Sequence, residues 1–213
     1  MIRSLLASLL LASAASAAQP PSVVMVYGVS KTQAQALYRR MEQQRGGRQT
    51  FELHAGMVRP LGLMGQWARL QRMFATNVLG SFVCAREAVK RMSTAHGGSG
   101  GSIVNVSSAA ARLGAPGQYV DYAAAKSAID AFTIGLAKEV ATEGIRVNAV
   151  RPGLIDTDIH ASGGLPNRVR DLAHLVPMQR GGTSEEVAQA IVWLLSDAAS
   201  YTTMSLMEIS GGR

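Results

Sequence analysis

Three features of this 213-residue chain predict an α/β fold built on a doubly wound parallel sheet. Ile103, Val104 and Val106 form a short β-branched run of the kind that makes a strand buried on both faces. Segments on either side alternate strand-like runs with amphipathic helical stretches. A serine pair, Ser107 and Ser108, stands where the 103–106 run ends, upstream of a Tyr-x-x-x-Lys carried by Tyr122 and Lys126. In open α/β sheets the carboxyl ends of the strands are where ligands bind.

At 47% hydrophobic content the chain is long enough for one well-buried domain, read here as residues 21–213. Residues 1–20 contain Arg3, the apolar run Leu5 to Leu11 and Ala15-Ser16-Ala17, which satisfy the charge, core and cleavage-site pattern of a secretory signal. The same residues also read as an Ala/Leu-rich first helix displaced from its usual place. The apolar run is too short to span a bilayer, so no membrane partner is expected.

Val23 to Phe51 reads as strand, amphipathic helix, Gly-Gly turn and second strand. His96 to Ser102 (HGGSGGS) reads as a flexible loop between helix and strand. Glu185 to Leu195 is an amphipathic helix capped by Thr183 or Ser184, with Glu185 and Glu186 in its first turn. A last strand follows near Met204 to Ile209.

Composition limits the function classes. The formal charge is +7, yet the densest basic group, Arg39, Arg40, Arg45 and Arg48, lacks interleaved aromatics and reads as a solvated helix face, so no nucleic-acid partner is expected. Cys84, the single cysteine, rules out an intramolecular disulfide and fits a reducing, cytoplasmic setting. His54, His96, His160 and His174 have no metal-ligand spacing, and no metal is expected.

The chemistry expected at the serine pair and Tyr-x-x-x-Lys follows from their spacing. Residues four apart on a helix share a face, so Lys126 lies near the Tyr122 phenol and favours the phenolate by opposite charge. A phenol with an ordinary pKa of about 10 then becomes usable as an acid and base nearer neutrality. Ser107 and Ser108 compete for the place beside it, because serines at strand ends also satisfy turn backbone.

Arg72 to Met92 (RMFATNVLGSFVCAREAVKRM), Ile145 to Asp158 (IRVNAVRPGLIDTD) and Pro177 to Ser200 (PMQRGGTSEEVAQAIVWLLSDAAS) flank this constellation. In that order the segments resemble the short-chain dehydrogenase/reductase family, most strongly over residues 72–213, in the manner of its glucose-dehydrogenase and 3-oxoacyl-reductase members. The resemblance implies a Rossmann-like sheet of order 3-2-1-4-5-6 and an oxidoreductase interconverting an alcohol and a ketone or aldehyde. NADP is favoured over NAD as hydride partner, because Tyr27 to Lys31 carries a lysine and no acid for the ribose hydroxyls.

It further implies a catalytic tetrad of Asn77, Ser108, Tyr122 and Lys126. Tyr122 would exchange the proton, Ser108 orient the substrate oxygen, Lys126 lower the tyrosine and bind the nicotinamide ribose, and Asn77 support a proton relay. Asn77 equally reads as a polar residue satisfied inside its helix. Pro152, Gly153, Ile155 and Thr157 would border the nicotinamide, with Tyr122 and Lys126, though Pro152-Gly153 is also an ordinary strand-ending turn. Residues 154–178 would form a lid over a small carbonyl or alcohol substrate. Helices near 69–92 and 122–142 would pair copies into a homodimer or tetramer.

The chain departs from the family in its first third. No Gly-x-x-x-Gly-x-Gly turn precedes residue 75, and Tyr27 to Ala34 keeps only Gly28. Strand 23–27 and the helix after it resemble the family's second strand and its helix, and His54-Ala55-Gly56, close behind Gln49 to Leu53, resembles the end of its Asn-Asn-Ala-Gly motif. The first strand with its glycine turn, and a further strand-helix segment with the adenine-side aspartate, are therefore expected to be missing. Strand 23–27 or the first helix would then fill the gap. Met204 stands where the family usually has glycine, and Ser108 lies fourteen residues before Tyr122, one more than the commonest spacing. These departures leave a second expectation open, a catalytically silent oligomerisation or binding protein, or a shortened gene product, unable to hold a dinucleotide.

Overall fold

The computed structural model describes residues 22–27, 50–54, 67–162 and 164–213. Five parallel strands make one sheet: β1 (Ser22–Tyr27), β2 (Thr50–His54), β3 (Gly101–Val106), β4 (Ile145–Pro152) and β5 (Leu206–Ile209), in the spatial order β2-β1-β3-β4-β5. The helices are α1 (Trp67–Phe74), α2 (Gly80–Met92), α3 (Ala110–Leu113), α4 (Val120–Val140), α5 (Ile159–Ser162), α6 (Arg168–Leu172) and α7 (Ser184–Leu195). A π-helical turn, Ala75–Leu79, joins α1 to α2.

The sheet is doubly wound, as expected, and the order 2-1-3-4-5 of the described strands follows the pattern 3-2-1-4-5-6 with one outer strand fewer among the described residues. β1 pairs with β2 from Val23 opposite Thr50 and with β3 from Ser22 opposite Ser102. The segment that resembles the family's second strand thus lies directly beside β3, with β2 outside it. An edge strand leaves one row of backbone groups without a strand partner, and the apolar run Val23 to Val26 suits an interior place better than an edge. The expected helices at 3–18 and 28–49, and Lys31, lie outside the described residues.

The winding reverses between β1 and β3. The chain moves outward from β1 to β2, then returns to the other side of β1 to begin β3. A crevice therefore opens at the carboxyl ends of β1 and β3, the place where such sheets bind ligands.

Alternation along β3 and β4 divides the core. Ile103, Ile145 and Val147 face one side, packed with Ala85, Ala88 and Met92 of α2 and Ala137 and Val140 of α4. Val104, Val106 and Val150 face the other, against Val187, Ala188, Ile191, Leu194 and Leu195 of α7. Period-two alternation sends Asn105, Ser107 and Arg151 to the α4 side as well. Asn105 donates to Thr133 Oγ1 on α4 at 2.8 Å.

The termini of these elements follow their local chemistry. Thr183 is the cap of α7: its Oγ1 accepts from Glu186 N at 3.2 Å while Glu186 Oε2 accepts from Thr183 N at 2.8 Å. The loop from His96 to Ser102 joins the helical turn after α2 to β3, the connection its composition suggests. A Cβ at Gly98 would lie 2.5 Å from the Met92 carbonyl and one at Gly100 2.5 Å from the Gly144 carbonyl, so these glycines permit close backbone approach.

Candidate active site

The carboxyl end of β3 and the first turns of α4 build the site. Ser107 continues the ladder, its N–H donating to the Val150 carbonyl at 2.8 Å, and its buried hydroxyl donates to the Lys126 carbonyl at 3.2 Å. Ser108 comes next and turns outward. Its Oγ accepts from Ala110 N at 3.1 Å and shares a hydrogen bond with the Tyr122 phenol. Of the two serines, Ser107 is engaged with helix backbone and Ser108 faces the tyrosine.

α4 forms readily because it is rich in alanine, and Asp121 in its first turn complements the helix dipole. One face carries Tyr122, Lys126 and Asp130 at four-residue intervals. Lys126 is fully buried, its Nζ donating to the Val106 carbonyl at 2.8 Å and lying 5.6 Å from the Tyr122 ring centroid. Burial brings the lysine down to about 7, opposed by the nearby Asp130 carboxylate. Tyr122 is pushed above the ordinary phenol value by burial, with the Ser108 hydrogen bond acting the other way.

This corrects the electrostatics expected from spacing alone. Spacing predicts a lysine that lowers the tyrosine, but desolvation here outweighs that attraction and leaves the phenol protonated. The same burial weakens the charge of Lys126, so the pair does not behave as a simple ammonium and phenolate.

Asn77 sits in the π turn, buried, with Nδ2 donating to the Met73 carbonyl at 3.0 Å; its own carbonyl accepts from Ser81 Oγ at 2.8 Å. The turn packs against α4. Asn77 therefore lies in a turn packed on α4, while its side-chain amide is satisfied within its own helical segment. π turns are uncommon and recur at functional sites, but the 3.6-residue pattern of the sequence does not announce one.

The Pro152-Gly153 turn is held by the sheet. The Pro152 carbonyl accepts from Ala109 N at 2.9 Å, and a Cβ on Gly153 would lie 2.7 Å from Ser210 Cα. Ile155 points into the core beneath α7, and its backbone pairs with Gly182. Thr157 is half-buried at the start of the segment expected to be a lid.

That segment carries α5 and α6. His160 Nε2 lies 2.8 Å from the Ile155 carbonyl, and burial, joined by the Arg168 charge, holds the imidazole below its usual value. Arg168 stacks over the Tyr119 ring at 5.4 Å and donates to Gln118 Oε1 at 2.6 Å, fastening α6 to the loop before α4.

Sequence reasoning missed two partly buried ion pairs that brace α4. Arg69 of α1 meets Asp121 at 2.9 Å, and Arg151 of β4 meets Asp130 at 2.8 Å. The second was legible in principle, since Asp130 shares the Lys126 face and Arg151 falls on the α4 side of β4.

The family model described as enoyl-(acyl carrier protein) reductase matches residues 7–213. The chain belongs to the short-chain dehydrogenase/reductase family. It is 64% identical over 145 residues to the uncharacterized oxidoreductase YgfF of Escherichia coli, a match covering 68% of this chain and 59% of that protein. It is 43% identical over 146 residues to a glucose and ribitol dehydrogenase homolog of Oryza sativa, covering 67% of this chain and 48% of the relative. The chain thus spans less than two thirds of the length of either relative.

Among solved structures, acetoin dehydrogenase YohF of Salmonella typhimurium superposes with a TM-score of 0.69 at 24% identity, covering 90% of this chain and 96% of that one. An ElxO variant with NADPH bound gives a TM-score of 0.69 at 22% identity, covering 91% and 98%. At such identities the likeness concerns the fold, which is Rossmann-like. No described helix is long and apolar enough to cross a membrane.

Proposed function

We propose that this chain is a nicotinamide-dependent oxidoreductase interconverting an alcohol and a ketone or aldehyde, with Tyr122 as the acid and base. The observation that carries the reading is the Ser108–Tyr122–Lys126 cluster at the end of β3, beside the crevice where the winding reverses. Family membership supports NAD(P) use in general.

The residues at this end suit the nicotinamide ribose and a carbonyl substrate. Lys126 offers a buried amine, and Tyr122 and Ser108 offer hydroxyls that meet each other. When bound, NAD(P)H supplies the hydride to the carbonyl carbon. Tyr122, kept protonated by burial, gives its proton to the oxygen that hydride transfer leaves negative, and recovers a proton afterwards. Ser108 hydrogen-bonds that oxygen and holds it within reach of the phenol. Lys126, fixed on the Val106 carbonyl, orients the ribose side and supports the phenolate after transfer. Asn77 supports the relay through the packing of its turn on α4.

Pro152, Gly153 and Thr157 border the nicotinamide as backbone and rim, and Ile155 acts from beneath as core. NADP remains favoured over NAD on the lysine at Lys31. The substrate is a small carbonyl compound or alcohol admitted under α5 and α6. Copies pair through the outer faces of α2 and α4, where Phe82, 49% exposed, stacks on Phe132 with ring centroids 4.0 Å apart.

The test is NADPH-dependent reduction of a panel of small aldehydes and ketones by the wild type and by Tyr122→Phe. Turnover confined to the wild type supports the mechanism, and equal turnover by both rejects it.

A second reading, a silent member of the family that binds or oligomerises without turnover, is favoured by the missing glycine turn, whose backbone amides ordinarily receive the pyrophosphate. Titration with NADPH and NADH separates the two. Micromolar binding ends the silent reading, and no binding up to millimolar cofactor ends the enzymatic one.

A further inference from the structure

Lys126 and Asp130 lie one turn apart on the same face of α4, the arrangement in which a lysine and an aspartate ordinarily pair directly. Here the aspartate is otherwise occupied. Its Oδ2 accepts from Arg151 Nε at 3.1 Å and from Arg151 Nη2 at 2.8 Å, with the two side chains only 9% and 17% exposed. Arg151 Nη1 meets Glu208 Oε1 of β5 at 3.2 Å, and Glu208 also meets Arg112 of α3 at 3.4 Å. The other carboxylate oxygen, Asp130 Oδ1, is buried and has no hydrogen-bond partner.

We propose that Arg151 is a positioning residue for Lys126: by holding the Asp130 carboxylate it keeps the lysine on the Val106 carbonyl, beside Tyr122, and prevents it from folding back onto Asp130. Two physical terms support this. A buried carboxylate oxygen without a donor is costly and attracts any ammonium within reach. The two hydrogen bonds from one guanidinium fix the carboxylate in a single orientation, which a flexible lysine on the same helix does not.

Among the described residues, the groups around Lys126 come from several elements. On α4 they are Tyr122 and Asp130, with the Arg69–Asp121 pair at the start of that helix. β3 contributes the Val106 carbonyl and, through Tyr122, the Ser108 hydroxyl. The π turn, which carries the neutral Asn77, packs against α4. β4 acts by way of Arg151, and β5 by way of Glu208. Asp130 thus supplies the negative field on the lysine, while Arg151 decides where that field points. Burial and Asp130 oppose each other in setting the Lys126 titration, consistent with this division.

The two partners should shift Lys126 in opposite directions. In Arg151→Gln the carboxylate is released to the lysine, and the Lys126 midpoint should rise by about 1 to 3 pH units, the range for an opposite charge at close approach. In Asp130→Asn the field is lost and the midpoint should fall. The measurement is an NMR titration of lysine side chains carrying 13C at Cε, on the full chain without cofactor, with the Lys126 signal assigned by its loss in Lys126→Met. Glu208→Gln, which loosens Arg151 without touching Asp130, should give a smaller rise and serves if either buried variant fails to fold.

Opposite shifts support the proposal. Shifts of the same sign, or a Glu208→Gln midpoint unchanged or lower, overturn it. That Lys126 matters for turnover rests on the proposed function, but the titration does not, so the two can fail separately. If the chain is active, the pH profile of kcat/KM should move in the same sense as the titration in each variant.

Discussion

The Ser107 hydroxyl donates to the backbone carbonyl of Lys126, 3.2 Å away, so the strand end is tied to the frame of the lysine and not to the reacting atoms. Neighbouring serines with the same side chain should therefore fail differently. Ser107→Ala should destabilise the protein by about 1 kcal/mol and leave turnover within a few-fold. Ser108→Ala should leave the urea midpoint nearly unchanged and lower kcat by about 100-fold. Urea melts and steady-state rates on both variants check this, and the reverse pattern would transfer the catalytic assignment to Ser107.

Met204 adopts φ +64° while its N–H donates to the Val147 carbonyl at 2.7 Å, just before β5. A side chain in that left-handed region costs roughly 1 to 2 kcal/mol, part of which glycine forfeits through its greater freedom when unfolded. Met204→Gly should thus stabilise the protein by about 0.5 to 1 kcal/mol, visible as a higher Tm. Met204→Ala, which keeps the Cβ, should give none of this gain.

Stability should depend on pH through Lys126. Its folded value is lowered to about 7 from the ordinary 10.5, so between those limits the unfolded chain binds the extra proton. Stability then rises with pH across that window: the contribution is complete above 10.5 and lost as pH falls through about 7. Urea unfolding at intervals from pH 6 to pH 10 should show this rise in wild type and a flatter curve in Lys126→Met. Equal slopes would mean that the buried amine does not titrate as its surroundings dictate.

Gly153 serves β5 before it serves any ligand, because an added Cβ would lie 2.7 Å from Ser210 Cα and 2.8 Å from Ser210 Cβ. Gly153→Ala should cost about 1 to 3 kcal/mol by forcing the strands apart. The loss should be equal with and without NADPH. A variant that melts normally yet loses cofactor affinity would show the glycine acting on the nicotinamide instead.

Much of the fold could be read from local pattern. The apolar run at 103–106, the amphipathic 185–195 stretch and the four-residue Tyr122–Lys126 interval each encode their structure within a few residues, and β3, α7 and the shared face of α4 follow. Which segment would lie beside β3 was not legible, since pairing is decided by distant segments competing for the same edges, and β1 took that place. The protonation of Tyr122 was also hidden, because spacing reveals a neighbouring charge but not the burial that outweighs it. The Arg151–Asp130 pair spans 21 residues and two elements, so it becomes visible only when the face of each is known.

The π turn at Ala75–Leu79 gives α1 and α2 different angular phases, although they look like one continuous rod. An extra residue in the turn displaces everything upstream by one step of about 100° relative to a regular helix. Arg69 reaches Asp121 in one phase, while Ala85, Ala88 and Met92 reach the sheet in the other. Losing one residue from Ala75 to Leu79 would leave a better helix and a worse protein, with Arg69 swung off its aspartate while the lower half stayed seated. The irregular turn acts as a gear between two stripes that no single helical period can align.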